Sequence, residues 1–311
     1  MVGQGQKGEG SASGAATTGE QAEGLHNGTS NPLDLPKQSP LFHAQHADRY
    51  ARQDLIAAYE NQFDCRLIVM VDAIFGYSVP LIEELVHNAD PDQDLHLLLN
   101  SPGGDGEAAV RIVRSIQARC KELSVIVPDR AKSAGTILCM GAHKIVMGPT
   151  SDLGPVDPQF QFPDGKLVAA KNIIAAVEAA EQAVQTNPDT YPIHASLLEA
   201  VDALMVQESR AALARTADLV NEALKSHPGR TPAQVTEIAD AVREPLIDLP
   251  QSHGAVFGAA DAIEAKLPVV QIDPASVQWK LIWRLYAKYF QLSERIYEGT
   301  QCSHSLGPAN F

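Results

Sequence analysis

Between Arg66 and Gly148 four short, almost unbroken apolar runs, RLIVMVD, DLHLLLN, ELSVIVP and HKIVMG, alternate with segments of helical spacing at Pro80 to His87, Asp105 to Cys120 and Ala134 to Gly141. A strand with one face in water alternates apolar and polar residues, whereas runs as continuous as these have both faces covered, and the helices between them supply the cover. The middle of the chain is therefore expected to be α/β, with parallel strands joined by crossover helices.

The flanking segments read differently. Residues 1–46 are rich in Gly, Ser, Ala, Thr and Gln with few large apolar side chains, too few to offset the entropy of ordering, and are expected as a disordered tail. Helical spacing begins near Asp48, through Tyr50, Leu55, Ile56 and Tyr59. A domain over 47–298 follows, with long Ala-rich helices at 171–226 as a helical excursion from it. Thr231 and Pro232 have the residue types of an N-cap and a first helical position, and FGAADAIEAKLPVVQI reads as helix then strand. The segment WKLIWRLYAKYFQLSERIY is an aromatic-rich amphipathic helix, expected to pack on the body or on another subunit rather than lie on a membrane, and residues 299–311 are expected as a flexible tail.

Composition excludes several functions. The 311 residues are 45% hydrophobic and 20% charged, an ordinary globular balance. Lys and Arg total 24 against 38 Asp and Glu, and a net charge of −14 disfavours any broad grip on nucleic-acid phosphates or anionic lipid. No apolar run reaches the roughly 18 residues of a membrane span, and the first residues lack the apolar stretch of a secretory signal, so a cytoplasmic location is expected. Cys65, Cys120, Cys139 and Cys302 show no CxxC spacing and are expected as unpaired, mostly buried thiols. Neither a metal site nor a cofactor is expected.

Chemistry concentrates in NSPGGDGEAAV and, further on, in AKSAGT. In one reading, Gly104-x-Gly106-x-x-Ala109 between a strand and a helix, with Asp129 closing the next strand, is a dinucleotide fingerprint. Asp105 and Glu107 would then stand beside a pyrophosphate, and the turn follows the second strand of the series rather than the first. In the other reading, consecutive glycines after Ser101-Pro102 leave backbone N–H groups bare. Ser133, at the next strand-to-helix junction among small residues, becomes a nucleophile on a helix N-terminus. Side by side in a parallel sheet, the two junctions would bring together a nucleophile and an oxyanion hole. Taken alone, Ser133 reads first as an N-cap serine, and only the combination of the two junctions favours a nucleophile.

Four segments in order, NSPGG (100–104), KSAGT (132–136), DLGPVDPQ (152–159) and SHGAVFGAADAIEAKLPV (252–269), resemble the serine dehydrogenase proteinase family. That family lies within the ClpP/crotonase-like superfamily of serine peptidases and is related to signal peptide peptidase A. The resemblance covers roughly residues 50 to 270. It implies a ClpP/crotonase-like fold, a repeated ββα/βα superhelix, with Ser133 as nucleophile and the amides of Gly103, Gly104 and Ala134 as oxyanion hole. It also implies a homo-oligomer, for which the aromatic closing helix offers a contact, and a peptide or unfolded protein as substrate.

The base is less defined. Clp-type relatives place a histidine where this chain reads Pro155-Val156-Asp157-Pro158, so no histidine is available there. Signal peptide peptidase A and its relatives use a lysine further on, for which the candidates are Lys166 and Lys171. Lys171, at the start of the Ala-rich helix, would need burial to lower its pKa. His253 is the competitor and would need no adjustment. Asp157 could orient the base or bind substrate, and Lys132 is expected to face substrate or solvent. Two other functions fit the same residues: an inactive scaffold in which Ser133 is only a cap, and a crotonase-type enzyme acting on a coenzyme A thioester.

Overall fold

The computed structural model describes residues 38–162, 164–250 and 254–308. The chain divides after Gln45. The first unit contributes one described element, α1 (Pro40–Gln45), a helix with no buried residue. It corrects the expectation of a tail continuing to residue 46, while residues 1–37 lie outside the described residues.

The second unit opens with α2 (Ala47–Phe63), β1 (Cys65–Val71), α3 (Ser78–Val86), β2 (Asp94–Asn100) and α4 (Gly106–Gln117). It continues through β3 (Leu123–Val127), the two-residue β4 (Arg130–Ala131), α5 (Ala134–Met140) and β5 (Lys144–Met147). Three short strands follow, β6 (Asp152–Leu153), β7 (Gln159–Gln161) and β8 (Leu167–Ala169). The helices α6 (Ala170–Thr186), α7 (Tyr191–Leu197), α8 (Ala203–Ser226) and α9 (Pro232–Arg243) come next. A wide helical turn at Glu244–Asp248 precedes α10 (Ala259–Glu264), and β9 (Val269–Gln271), α11 (Val277–Leu292), β10 (Glu294–Glu298) and β11 (Ser303–Pro308) close the described chain.

Seven strands form one sheet in the order β11-β10-β1-β2-β3-β5-β9. The five from β1 to β9 run parallel, and β10 and β11 join antiparallel at one edge. The molecule is thus mixed α/β with a parallel-rich sheet. The apolar runs are continuous because both faces are covered. Ile68, Leu97, Leu99, Val125 and Val127 point into a core shared with α3, α4, α5 and α8, while Leu67, Val69, Leu98 and Ile126 point into a second core under α2 and α11.

Local signals set the helix starts. Thr231 accepts from Gln234 N while the Gln234 side chain accepts from Thr231 N, a reciprocal cap with Pro232 at the first position.

Residues 299–311 do not form the expected flexible tail over their described part. SHSLGP has too little apolar content to read as a strand, but β11 is held by the backbone ladder of β10, by Arg295 donating to Leu306 O, and by Cys302 and Leu306 packed on the core. The β10 strand ties the late chain to the early one. Glu298 accepts from both Arg52 Nε at 2.7 Å and the Tyr289 hydroxyl at 2.6 Å, all three groups buried. The Tyr297 hydroxyl donates to Asp72 at 3.0 Å.

Candidate active site

The site lies where the carboxyl ends of the parallel strands turn into helices, the usual place for a site in such a sheet. At the end of β2, Ser101 N donates to Arg130 O at 2.9 Å and Lys132 N to Ser101 O at 3.0 Å. These bonds lock the NSPGG turn beside the KSAGT turn. Gly103 (φ 115°) and Gly104 (φ 134°) adopt backbone conformations that disfavour a side chain. Space forbids one too: a Cβ on Gly103 would lie 2.8 Å from Ser133 Cβ, and one on Gly104 would lie 2.1 Å from Ile74 O. The glycine turn therefore rests directly on the serine.

Ser133 precedes α5, yet it does not cap it: its side chain makes no capping bond. The residue has φ 48° and ψ −112°, a positive φ that costs a non-glycine residue about 1–3 kcal/mol. Its half-buried hydroxyl has no hydrogen-bond partner among the described residues. The amides nearby are unequally free. Gly103 N donates to Ser101 Oγ at 3.2 Å, whereas the N–H groups of Gly104 and Ala134 have no acceptor among the described residues. Ile74 uses both its backbone groups on the neighbours of Gly104, bonding Gly103 O at 2.8 Å and Asp105 N at 2.7 Å. Two unspent donors thus flank an unspent hydroxyl.

The lysine beside the serine corrects an expectation. Lys132 is buried rather than facing substrate or solvent: its ammonium pairs with Asp152 and donates to Leu153 O at 3.2 Å and Ala255 O at 3.0 Å. Asp152 also accepts from Phe257 N at 2.9 Å, and Gly154 is bare because a Cβ there would fall 2.1 Å from Lys132 Cδ. The hydroxyl of Thr136 lies between Ala131 O, at 2.7 Å, and Gly154 O, at 2.9 Å. All four sequence segments therefore meet around Lys132 and Ser133. Asp152, Gly154 and Thr136 are the site residues that sequence reasoning passed over. The signal for them was a lysine set among small residues, with an aspartate and a glycine two apart in DLG.

The base candidates are not drawn to the serine. Lys171, half-buried at the start of α6, donates to Ile247 O at 2.8 Å and Asp248 O at 3.4 Å. These carbonyls end the wide turn at 244–248, where the last carbonyls of a helix lack intrahelical donors. Burial holds the Lys171 ammonium below the ordinary lysine value, against the opposing pull of Asp157 and Asp248. Asp157 is buried nearby. No hydrogen bond joins Lys171 to Ser133. Lys166 is exposed in a turn where its amide bonds Asp164, and His253 lies outside the described residues.

The dinucleotide fingerprint fails on geometry. Asp105 caps α4 by accepting from Glu107 N at 2.8 Å, so a carboxylate already occupies the place of a pyrophosphate. Gly106 packs under α8, where a Cβ would lie 2.8 Å from Leu219 Cδ1. Among the described residues no group of His, Cys, Asp and Glu could hold a metal ion, and no helix is long and apolar enough to cross a membrane.

Residues 81–193 match the family of ClpP-like SDH-type serine proteinases, a span that holds Gly103, Gly104, Ser133, Ala134, Asp157 and Lys171. The serine dehydrogenase-type proteinase resemblance drawn from the motifs is thus shown over that span. The chain is 31% identical over 147 residues to an uncharacterized protein of Methanocaldococcus jannaschii, covering 42% of this chain and 51% of that protein. It is 30% identical over 102 residues to the ATP-dependent Clp protease proteolytic subunit 2 of Leifsonia xyli, covering 32% of this chain and 44% of the subunit. The chain thus spans about half the length, or less, of these curated relatives. Among solved structures, a ClpP1 mutant from Listeria monocytogenes superposes with a TM-score of 0.37 and 13% identity, over 69% of this chain and 96% of the other.

Proposed function

We propose that the protein is a serine peptidase that cleaves peptide bonds through an acyl-enzyme on Ser133. The observation that carries this reading is the uncapped Ser133, held at positive φ beside the free N–H groups of Gly104 and Ala134. An ordinary cap serine would spend its hydroxyl on the helix and relax its backbone.

In the proposed reaction, Ser133 Oγ attacks the carbonyl carbon of the scissile peptide and gives its proton to a base. The carbonyl oxygen becomes an oxyanion held by the Gly104 and Ala134 amides, with Gly103 able to join if its long bond to Ser101 Oγ is released. Collapse of the tetrahedral species breaks the C–N bond. The amine leaves with the proton from the base, and water then hydrolyses the ester at Ser133. Lys171 is the described base candidate whose pKa is lowered toward this task. To act, Lys171 must lose its own proton and exchange the Ile247 and Asp248 carbonyls for the Ser133 hydroxyl, and Asp157 would orient it. His253 is the alternative base. Peptides or unfolded proteins are the substrate class, and a homo-oligomer and a cytoplasmic location belong to the same reading.

The test is intact-mass analysis after a fluorophosphonate probe, on the full chain and on Ser133→Ala, Lys171→Ala and His253→Ala. A single adduct on the wild type that vanishes in Ser133→Ala is expected, and the base variant that also loses it names the partner. A folded wild type that takes no adduct overturns the reading in favour of an inactive scaffold. Activity on a coenzyme A thioester that survives Ser133→Ala would favour the crotonase-type alternative.

A further inference from the structure

The net charge of −14 argues against anionic partners for the molecule as a whole, but one helix departs from it. From Pro274 to Ser293 there is no Asp or Glu, and Lys280, Arg284 and Lys288 recur every fourth residue along α11, in one row. None of the three pairs with a carboxylate among the described residues, although carboxylates outnumber cations in this chain.

The inner face of α11 is fully used: Trp279, Ile282, Leu285, Tyr286 and Tyr289 are buried against the sheet. Its outer face carries Trp283, 44% exposed, and Phe290, 75% exposed, seven residues apart and therefore on the same side, next to the cation row. Trp283 is not loose. It stacks on Trp279 at 6.5 Å between centroids and leans on Tyr286 at 5.7 Å, and the Tyr286 hydroxyl is fixed to Asp129 at 2.9 Å.

We infer that the outer face of α11 is a docking surface for an anionic lipid bilayer, with Lys280, Arg284 and Lys288 meeting headgroup phosphates and Trp283 and Phe290 entering the interfacial layer. Cations beside exposed Trp and Phe on one helix face are what an interface-seated helix presents. The net negative charge does not forbid it, because charges more than about 8–10 Å away are screened at physiological salt. Charge also decides against the other occupants. A second copy docked symmetrically through this face would set one cation row against another. An acidic protein segment would pair the cations but leave two aromatic rings on a convex helix without cover. This inference does not depend on the peptidase reading.

The test uses the full chain with vesicles of phosphatidylcholine, alone or mixed with phosphatidylglycerol, read by flotation and by tryptophan emission. The chain has two tryptophans, and Trp279 is already buried, so a blue shift reports Trp283. Expected are binding and a blue shift with the anionic vesicles only, reversal by added salt, and about a 100-fold weaker partitioning for Lys280→Glu/Arg284→Glu/Lys288→Glu. Trp283→Ala/Phe290→Ala should also lose binding. The variants alter side chains that are exposed, apart from the half-buried Lys288, and unchanged melting temperatures check their fold; the salt reversal on the wild type tests the inference without either. Absence of binding to anionic vesicles at low salt would overturn the bilayer as partner, with retention on immobilised poly-glutamate in that case favouring an acidic protein, and equal binding by the triple variant would overturn the cation row as the docking element. A loss of oligomer mass in the triple variant with vesicle binding unchanged would assign the face to a subunit contact instead.

Discussion

Ser133 shows how much of this site is a matter of single residues placed against their own preferences. Gly104→Ala should cost about 2–3 kcal/mol in urea unfolding, since the new Cβ meets Ile74 O and the residue keeps a positive φ. Probe labelling should fall with it, because the turn that presents the free amide must move. Asp152→Asn should cost about 3 kcal/mol, because it leaves the buried Lys132 ammonium without its carboxylate; differential denaturation of the two proteins checks it. The glycines and the serine were legible because their requirement is local: a bare turn and a hydroxyl at a helix start are written in adjacent letters. The burial of Lys132 was not, since its partners Asp152, Leu153 and Ala255 come from two other segments and the small residues beside it do not say which carboxylate would meet it.

At the scale of elements, α8 is anchored to the strand side through a pair of imidazoles. His227, just after α8, packs its ring 4.1 Å from that of His143 at the start of β5. Burial, then the neighbouring His143 and Arg230, push His227 down to about 4, and burial likewise lowers His143. The unfolded chain binds these protons near pH 6.5, so between there and about pH 4 it holds more protons than the folded one, and stability falls as the pH drops through that window. Urea midpoints at pH 7 and pH 5 should therefore differ by less in His227→Gln than in the wild type. The parallel strands were readable from their unbroken apolar runs. The helix α1 and strand β11 were not, because little apolar surface marks either one: α1 buries no residue, and β11 is specified by the ladder that β10 offers it.

For the molecule as a whole, the antiparallel edge is the least expected feature. Stopping the chain at Thr300 would keep β10 but remove β11, so that β10, with its buried Ile296 and Tyr297, becomes the edge strand in place of the short polar β11. The melting temperature should fall by several degrees, with aggregation that grows with protein concentration, as light scattering during a thermal ramp would show. The α/β class was legible early because it depends on periodicity alone, whereas the closure of the sheet by its last strands depends on pairings more than two hundred residues apart, such as Val69 with Glu298. That closure has a consequence for the order of events on the ribosome. Arg52 and Asp72 are made first and find their partners Glu298 and Tyr297 only after 246 and 225 further residues have been made. Until then a charge of each sign must stay hydrated, and the outer edge of β1 must wait unpaired. The nascent protein can assemble its inner strands in sequence, but it cannot pair the outer edge of its first one until β10 has been made.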